Sequence, residues 1–345
     1  MVQSSLSNPS ARLHGLDLAR YLALAGMVAV NFRLALGVEE GPSLLNQLVG
    51  LLEGRAAATF VVLAGVGFAL AFAGRQHPTT AILKRATFLF ILGLINLLIF
   101  EADILHFYAA YFLLGAVVLL LPPAWLPVIV IALPLGFIGL TLLFDYDTGW
   151  DWTSLAYTDL WTVPGFLRNL MFNGWHPVVP WFAFFACGMA IAKLQLRERR
   201  TQATLVVCGL ALLAASVALS QLTSTFLGPL SGLKPVPPGP FFIMGGCGTA
   251  MAVIGLCLLA FESRLLSKSF SVLLPAGRQT LTLYIAHILL GMGTLEAIGL
   301  LGAGTIESAL LATLTFMLIA TIFSWLWSRR FKAGPLEALM RKLAG

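Results

Sequence analysis

The sequence predicts an all-α, polytopic integral membrane protein: a transmembrane bundle of about ten helices with both termini in the cytoplasm. Three observations carry this. Charged residues make up only 10% of the 345-residue chain, where a soluble domain carries about 25%. Hydrophobic residues make up 59%, and the mean hydropathy is +0.91. The apolar residues also fall in blocks of the roughly 20 residues that a helix needs to cross a bilayer.

The spans are expected at 16–36, 54–73, 82–100, 104–121, 124–144, 176–194, 202–221, 240–260, 279–298 and 304–327. Interruptions in the last third leave room for an eleventh, broken helix. Arg12 precedes the apolar stretch Leu22 to Val30, but Asp17 and Arg20 interrupt its start. That stretch is expected to be a retained first helix rather than a cleaved signal. With the N-terminus inside, 17 of the 21 basic residues fall on the cytoplasmic side, leaving Arg33, Arg55, Arg168 and Lys234 outside. This bias predicts an even number of spans, N-in and C-in. The whole chain, 1–345, is expected to form a single transmembrane domain.

The net charge of +6 and pI near 9.4 fit basic cytoplasmic loops. No basic tail or zinc spacing points to nucleic acid, and no metal is expected. Cys187, Cys208, Cys247 and Cys257 each lie in an apolar segment without a CxxC pair and read as small buried hydrophobes.

In chain order, the first helix reads LDLARYLALAGMVAVNFR. Asp17, Arg20 and Asn31 fall on one face at 100° per residue, a polar stripe that should face the bundle interior. Asn31 lies about 16 Å beyond Arg20 along the axis. The second helix reads EGRAAATFVVLAGVGFAL, with Arg55 at its outer end. The fourth opens DILHFYAAYF, where Asp103 and His106 share a face, a spacing that lets a carboxylate orient an imidazole.

The segment from Asp145 to Trp175 carries four Asp and four Trp residues. It reads either as an interfacial aromatic belt or as a lid over an outward cavity. It leads into FNGWHPVVPWF, where Pro177 and Pro180 are expected in the first turn of the sixth helix, holding His176 at its mouth. His176 is then either a passive cap or a neutral base. In the ninth helix, GRQTLTLYIAHILLG, the residues Thr280, Tyr284, His287 and Gly291 share a narrow face. His14 and His77 fall in loop contexts and receive no catalytic role.

Taken in order, these stretches resemble a known family. They are Leu16-Asp17 with Arg20 and Asn31-Phe32; Gly54-Arg55 through Gly67; Asp103 to Ala109; His176-Pro177 with Pro180-Trp181; and Gly277-Arg278 with Leu281-Thr282 and Tyr284. The chain resembles the YeiB-like (DUF418) bacterial membrane proteins, which are related to the heparan-alpha-glucosaminide N-acetyltransferase group. Two departures stand out. Tyr21 replaces the usual Gly, and Asn46 to Gly50 lacks the histidine-led segment of the sugar-acetylating branch.

The resemblance implies a transmembrane acyltransferase in the bacterial cytoplasmic membrane. It would use acyl-CoA, in the first instance acetyl-CoA, as donor. The acceptor would be a glycan, a lipid-linked sugar or a small molecule. A homodimer is implied by the related branch. Candidate catalytic residues are His176, His106, Asp103, His287 and Tyr284. Candidate donor-binding residues are Asp17, Arg20, Asn31, Arg85 and Arg278. A transporter or flippase is the alternative, since intramembrane Asp, Arg and His also build substrate paths.

Overall fold

The computed structural model describes residues 12–75 and 78–344; the expectation for His77 lies outside the described residues. Helix α1 (His14–Ala35) starts at one face of the bundle, the terminal face. It is followed by a short α2 (Leu44–Gly50), whose first turn is capped by Ser43, and by α3 (Arg55–Phe72). Next come α4 (Thr79–Leu97), α5 (Leu105–Val118) and α6 (Trp125–Leu143). A two-stranded hairpin, β1 (Trp150–Asp151) with β2 (Ala156–Tyr157), marks the opposite, hairpin face. Then α7 (Val163–Arg168) leads through a π-helical turn, Asn169–Asn173, to α8 (Val178–Ile191).

Helices α9 (Arg199–Leu227) and α10 (Pro240–Ala260) form an antiparallel pair. At the terminal face lie α11 (Arg264–Phe270) and α12 (Leu274–Gly277). Helix α13 (Thr280–Ala286) continues through a second π-helical turn, His287–Met292, into α14 (Gly293–Ala297). Helix α15 (Ile306–Ser328) opens on a capping box between Thr305 and Ser308, and α16 (Pro335–Ala344) ends the described chain.

Among the described residues, eight helices are long and apolar enough to cross a membrane, and nine if the bent pair 163–173 and 178–191 is one span. The span expected at 104–121 contains only the 14-residue α5. Helices α3 and α10 form the centre of the bundle: 61% and 67% of their apolar windows are buried, against 17% for α6 and α9. The outward Leu and Phe side chains of the peripheral helices, such as Leu142 and Phe226, are exposed as lipid-facing residues are. Cys187, Cys247 and Cys257 are buried as expected, whereas Cys208 faces outward on α9.

Two expectations are corrected by the backbone. Pro177 caps α8 rather than lying within it, and Val179 (φ −101°, ψ 112°) leaves helical geometry before Pro180. Separately, the chain bends by 49° between Asn173 and Val178, so His176 sits in that break and not on a helix. His14 is the first residue of α1, not a loop residue, and its Nδ1 accepts a hydrogen bond from Arg278 Nη2 at 3.2 Å.

Close helix contact in lipid depends on small residues. Where α3 crosses α8, a Cβ on Gly65 would stand 2.1 Å from the Phe185 carbonyl oxygen, and one on Gly188 would stand 2.0 Å from that of Val62. The two backbones therefore touch through a reciprocal pair of glycines. Gly188→Leu is expected to destabilise the fold by about 1–3 kcal/mol or more by forcing α3 and α8 apart. Gly136→Leu, where a Cβ meets nothing within 4 Å, should leave the thermal midpoint of the detergent-solubilised protein unchanged.

Candidate functional site at Tyr284

Two cavities approach each other inside the bundle. The outer one, about 610 Å³, opens toward the hairpin face and is bordered by Asn31, Trp152, Trp175, His176, Trp181 and Tyr284, with Arg33 and Glu53 at its rim. Its volume is that of a small-molecule site. The inner one, about 210 Å³, lies toward the terminal face. It is mostly apolar (Phe60, Leu63, Leu89, Phe112) and is bordered by Arg20, Tyr108 and Tyr284. Tyr284 borders both.

The Tyr284 side chain is held by a buried polar cluster. Its hydroxyl accepts the Ile104 N–H at 3.2 Å and donates to Asp103 Oδ1 at 3.4 Å. Asp103 is fully buried. Its Oδ1 also accepts from Asn96 Nδ2 at 2.7 Å, and its Oδ2 accepts the Leu105 N–H at 2.8 Å and the His106 N–H at 3.2 Å. His106 Nδ1 lies 3.0 Å from Oδ2 and donates to it. The Asp-x-x-His spacing at the start of α5 thus brings the two residues together. Asp103 and His106 lie behind Tyr284 and border neither cavity.

Asn96 was not singled out in the sequence, and neither was Gly93, which admits it. A Cβ at Gly93 would stand 2.4 Å from the His106 nitrogen, so only glycine lets α4 close onto the first turn of α5.

His176 is held differently. Its carbonyl oxygen accepts the Tyr111 hydroxyl at 2.6 Å. Its ring lies edge-on to Trp181, 4.6 Å between centroids, and 5.8 Å from Phe107. Its buried Nδ1 finds no hydrogen-bond partner among the described residues. The hairpin packs over this corner. Trp150 Nε1 donates to the Asn173 carbonyl at 2.7 Å, and Asn173 Nδ2 donates to the Tyr146 and Thr148 carbonyls. Trp152, stacked 4.6 Å from Trp150, reaches the outer cavity. Further out, Lys234 bonds Glu40 and holds that carboxyl below its ordinary range.

His287 is fully buried and committed on both nitrogens. Nδ1 donates to the Tyr284 carbonyl oxygen, and Nε2 accepts from Asn31 Nδ2 at 3.0 Å. A π-helical turn begins at His287, and Gly291 meets Phe32 and Phe316, the same two rings that His287 faces.

At the terminal face, Asp17 is 1% exposed and gathers three guanidinium groups. Arg12 meets it at 2.7 Å, Arg20 at 2.9 Å and Arg278 at 3.0 Å. Arg20 also borders the inner cavity. Arg85 lies apart, its guanidinium carbon 5.0 Å from the centroid of the Phe72 ring. The ten candidate residues therefore fall into distinct groups: Asp103, His106 and Tyr284; His176; Asn31 with His287; Asp17 with Arg20 and Arg278; and Arg85. Among the described residues, no three His, Cys, Asp or Glu side chains are placed to hold a metal ion.

Residues 12–225, more than half of the chain, match the family model described as heparan-alpha-glucosaminide N-acetyltransferase, catalytic. The chain belongs to this family. Its C-terminal part, residues 189–345, matches a second model, described as protein of unknown function (DUF418). No curated protein matches the chain. The N-acetyltransferase-type match covers α1 to α8 and most of α9, and so includes Asp17, Arg20, Asn31, Asp103, His106 and His176. Tyr284 and His287 come from the DUF418 region. The polar cluster at Tyr284 is thus assembled from both matched regions.

Asn31 has a structural load that can be measured apart from any chemistry. Asn31→Ala leaves the buried Nε2 of His287 without its donor, and the expected cost is about 1–3 kcal/mol. A thermal or denaturant unfolding midpoint equal to that of the parent protein would contradict this.

Proposed function

We propose that this chain is a transmembrane acyltransferase. It moves an acyl group, acetyl in the first instance, from a CoA thioester at the terminal face to a hydroxyl or amine held in the outer cavity. In this reading the whole chain is one transmembrane domain of ten spans in a bacterial cytoplasmic membrane, with the terminal face in the cytoplasm. The basic residues at the terminal face, Arg12, Arg20, Arg85 and Arg278 among them, support that orientation. The observation that carries the proposal is Tyr284, whose side chain borders both cavities while a buried carboxylate holds its hydroxyl.

The proposed chemistry uses residues at that boundary. Of the three candidate histidines, His176 is the one that borders a cavity, so it is the base for the acceptor. As the acceptor oxygen or nitrogen attacks the thioester carbonyl carbon, His176 takes its proton. The Tyr284 hydroxyl, whose single proton points to Asp103 Oδ1 before reaction, turns it to the oxyanion that forms. When the intermediate collapses, the carbon–sulfur bond breaks, the thiolate leaves with CoA, and the proton on His176 neutralises it. Asp103, itself fixed by Asn96 and His106, keeps the Tyr284 hydroxyl in place. Arg20, at the edge of the inner cavity, offers positive charge to the donor's phosphates.

Two continuous half-paths would also suit a transporter, and one experiment separates the readings. Purified protein is incubated with acetyl-CoA radiolabelled in the acetyl group, with glucosamine and water as acceptors. Label is expected on glucosamine or in free acetate. His176→Ala should slow this about 10²–10⁴-fold, and Tyr284→Phe about 10²–10³-fold. If the parent protein transfers no label, yet proteoliposomes containing it take up a solute, the acyltransferase reading is wrong and the transporter reading takes its place.

A further inference from the structure

The inner cavity is closed on its terminal side by the last helix, and the closure is polar. Glu337, in the first turn of α16, is 8% exposed. Its Oε1 accepts the backbone N–H groups of Leu281 at 2.8 Å and Thr282 at 3.1 Å. Its Oε2 accepts the Thr282 hydroxyl at 2.6 Å, and the Thr282 Oγ1 accepts the Leu336 N–H at 3.0 Å. The first turn of α13 is therefore satisfied by a carboxylate from a different helix. Three residues on, Met340 forms part of the cavity wall beside Glu337, Thr280 and Leu281.

The apolar packing of α16, against α4, is partial. Its buried residues are Glu337 and Ala344, while Leu339 and Leu343 are 44% and 56% exposed. A helix fixed to a core by its apolar face buries those leucines. This one rests on α4, and its tie to α13 is one carboxylate. The strap that leads to it is short and tightly seated. Trp327 Nε1 donates to the Ala333 carbonyl at 2.9 Å, and a Cβ on Gly334 would stand 2.2 Å from Glu337 Oε2.

We propose that α16 is a latched lid over the inner cavity. Breaking the Glu337 contacts lifts Met340 out of the wall and opens the cavity to solutes at the terminal face. The identity of what enters, a CoA thioester, rests on the function proposed above; the opening itself does not.

The lid is tested without acyl-CoA, so its failure and that of the acyltransferase reading are distinguishable. Ala64, in the inner cavity wall, is replaced by Cys in a Cys208→Ser background. Its reaction with a negatively charged methanethiosulfonate reagent is then timed on the full-length, detergent-solubilised protein. Glu337→Ala is expected to speed labelling about tenfold or more, and Thr282→Val to speed it less. Unchanged rates in variants that keep the parental size-exclusion profile would overturn the proposal. Hydrogen exchange on the parent protein covers the case of a variant that misfolds. Residues 335–344 and the Leu281 and Thr282 amides should exchange together, faster than α3 and α10. Protection of these groups equal to that of α3 would also overturn it.

Discussion

A carboxylate buried among apolar helices must have its oxygens filled by donors, and Asp103 imposes that requirement on the rest of the bundle. It has no exposure to solvent. Its two oxygens accept from Asn96 on α4, from two backbone N–H groups and an imidazole at the start of α5, and from Tyr284 on α13. Two consecutive helices and a third, 181 residues along the chain from Asp103, are thereby brought to one point. Removing any one donor leaves a buried charge less completely paired, a cost that ordinary apolar packing does not impose. One of those donors, Tyr284, borders both cavities.

Asp17 is the counterpart at the terminal face. It takes guanidinium groups from the chain before α1, from α1 itself and from the residue after α12. The difference between the two sites lies in the partners. Asp103 is held by an amide, two backbone N–H groups, an imidazole and a phenol in the interior, whereas Asp17 is surrounded by guanidinium groups at the terminal face. The first arrangement holds a hydroxyl in place; the second leaves an electropositive rim where anions approach.

How much of this was legible in the sequence follows from the range of each interaction. Asp103 and His106 were readable because three residues along a helix put two side chains on one face. The polar stripe of α1 was readable for the same reason. Asn31 and His287 were each identified alone, but their pairing spans 256 positions and no local pattern encodes it. Asn96 stayed hidden because its role depends on Gly93 letting α4 close on α5. Arg278 was named as a candidate donor-binding residue, but its pairing with Asp17 and His14 spans the chain and no local pattern encodes it. The two prolines after His176 announced rigidity, yet the break at Val179 needed the three-dimensional backbone. Glu337 was not singled out, because its partners on α13 lie more than fifty residues away in sequence.

The central claim is that Tyr284 is where a donor from the terminal face meets an acceptor from the hairpin face. The most direct measurement is an experimental structure of the protein with a non-hydrolysable thioether analogue of acetyl-CoA. The account predicts density that enters from the terminal face, passes Arg20 and ends with its acyl group against the Tyr284 hydroxyl. Density confined to the hairpin face, or an analogue whose acyl end lies away from Tyr284 at saturating concentration, would contradict it.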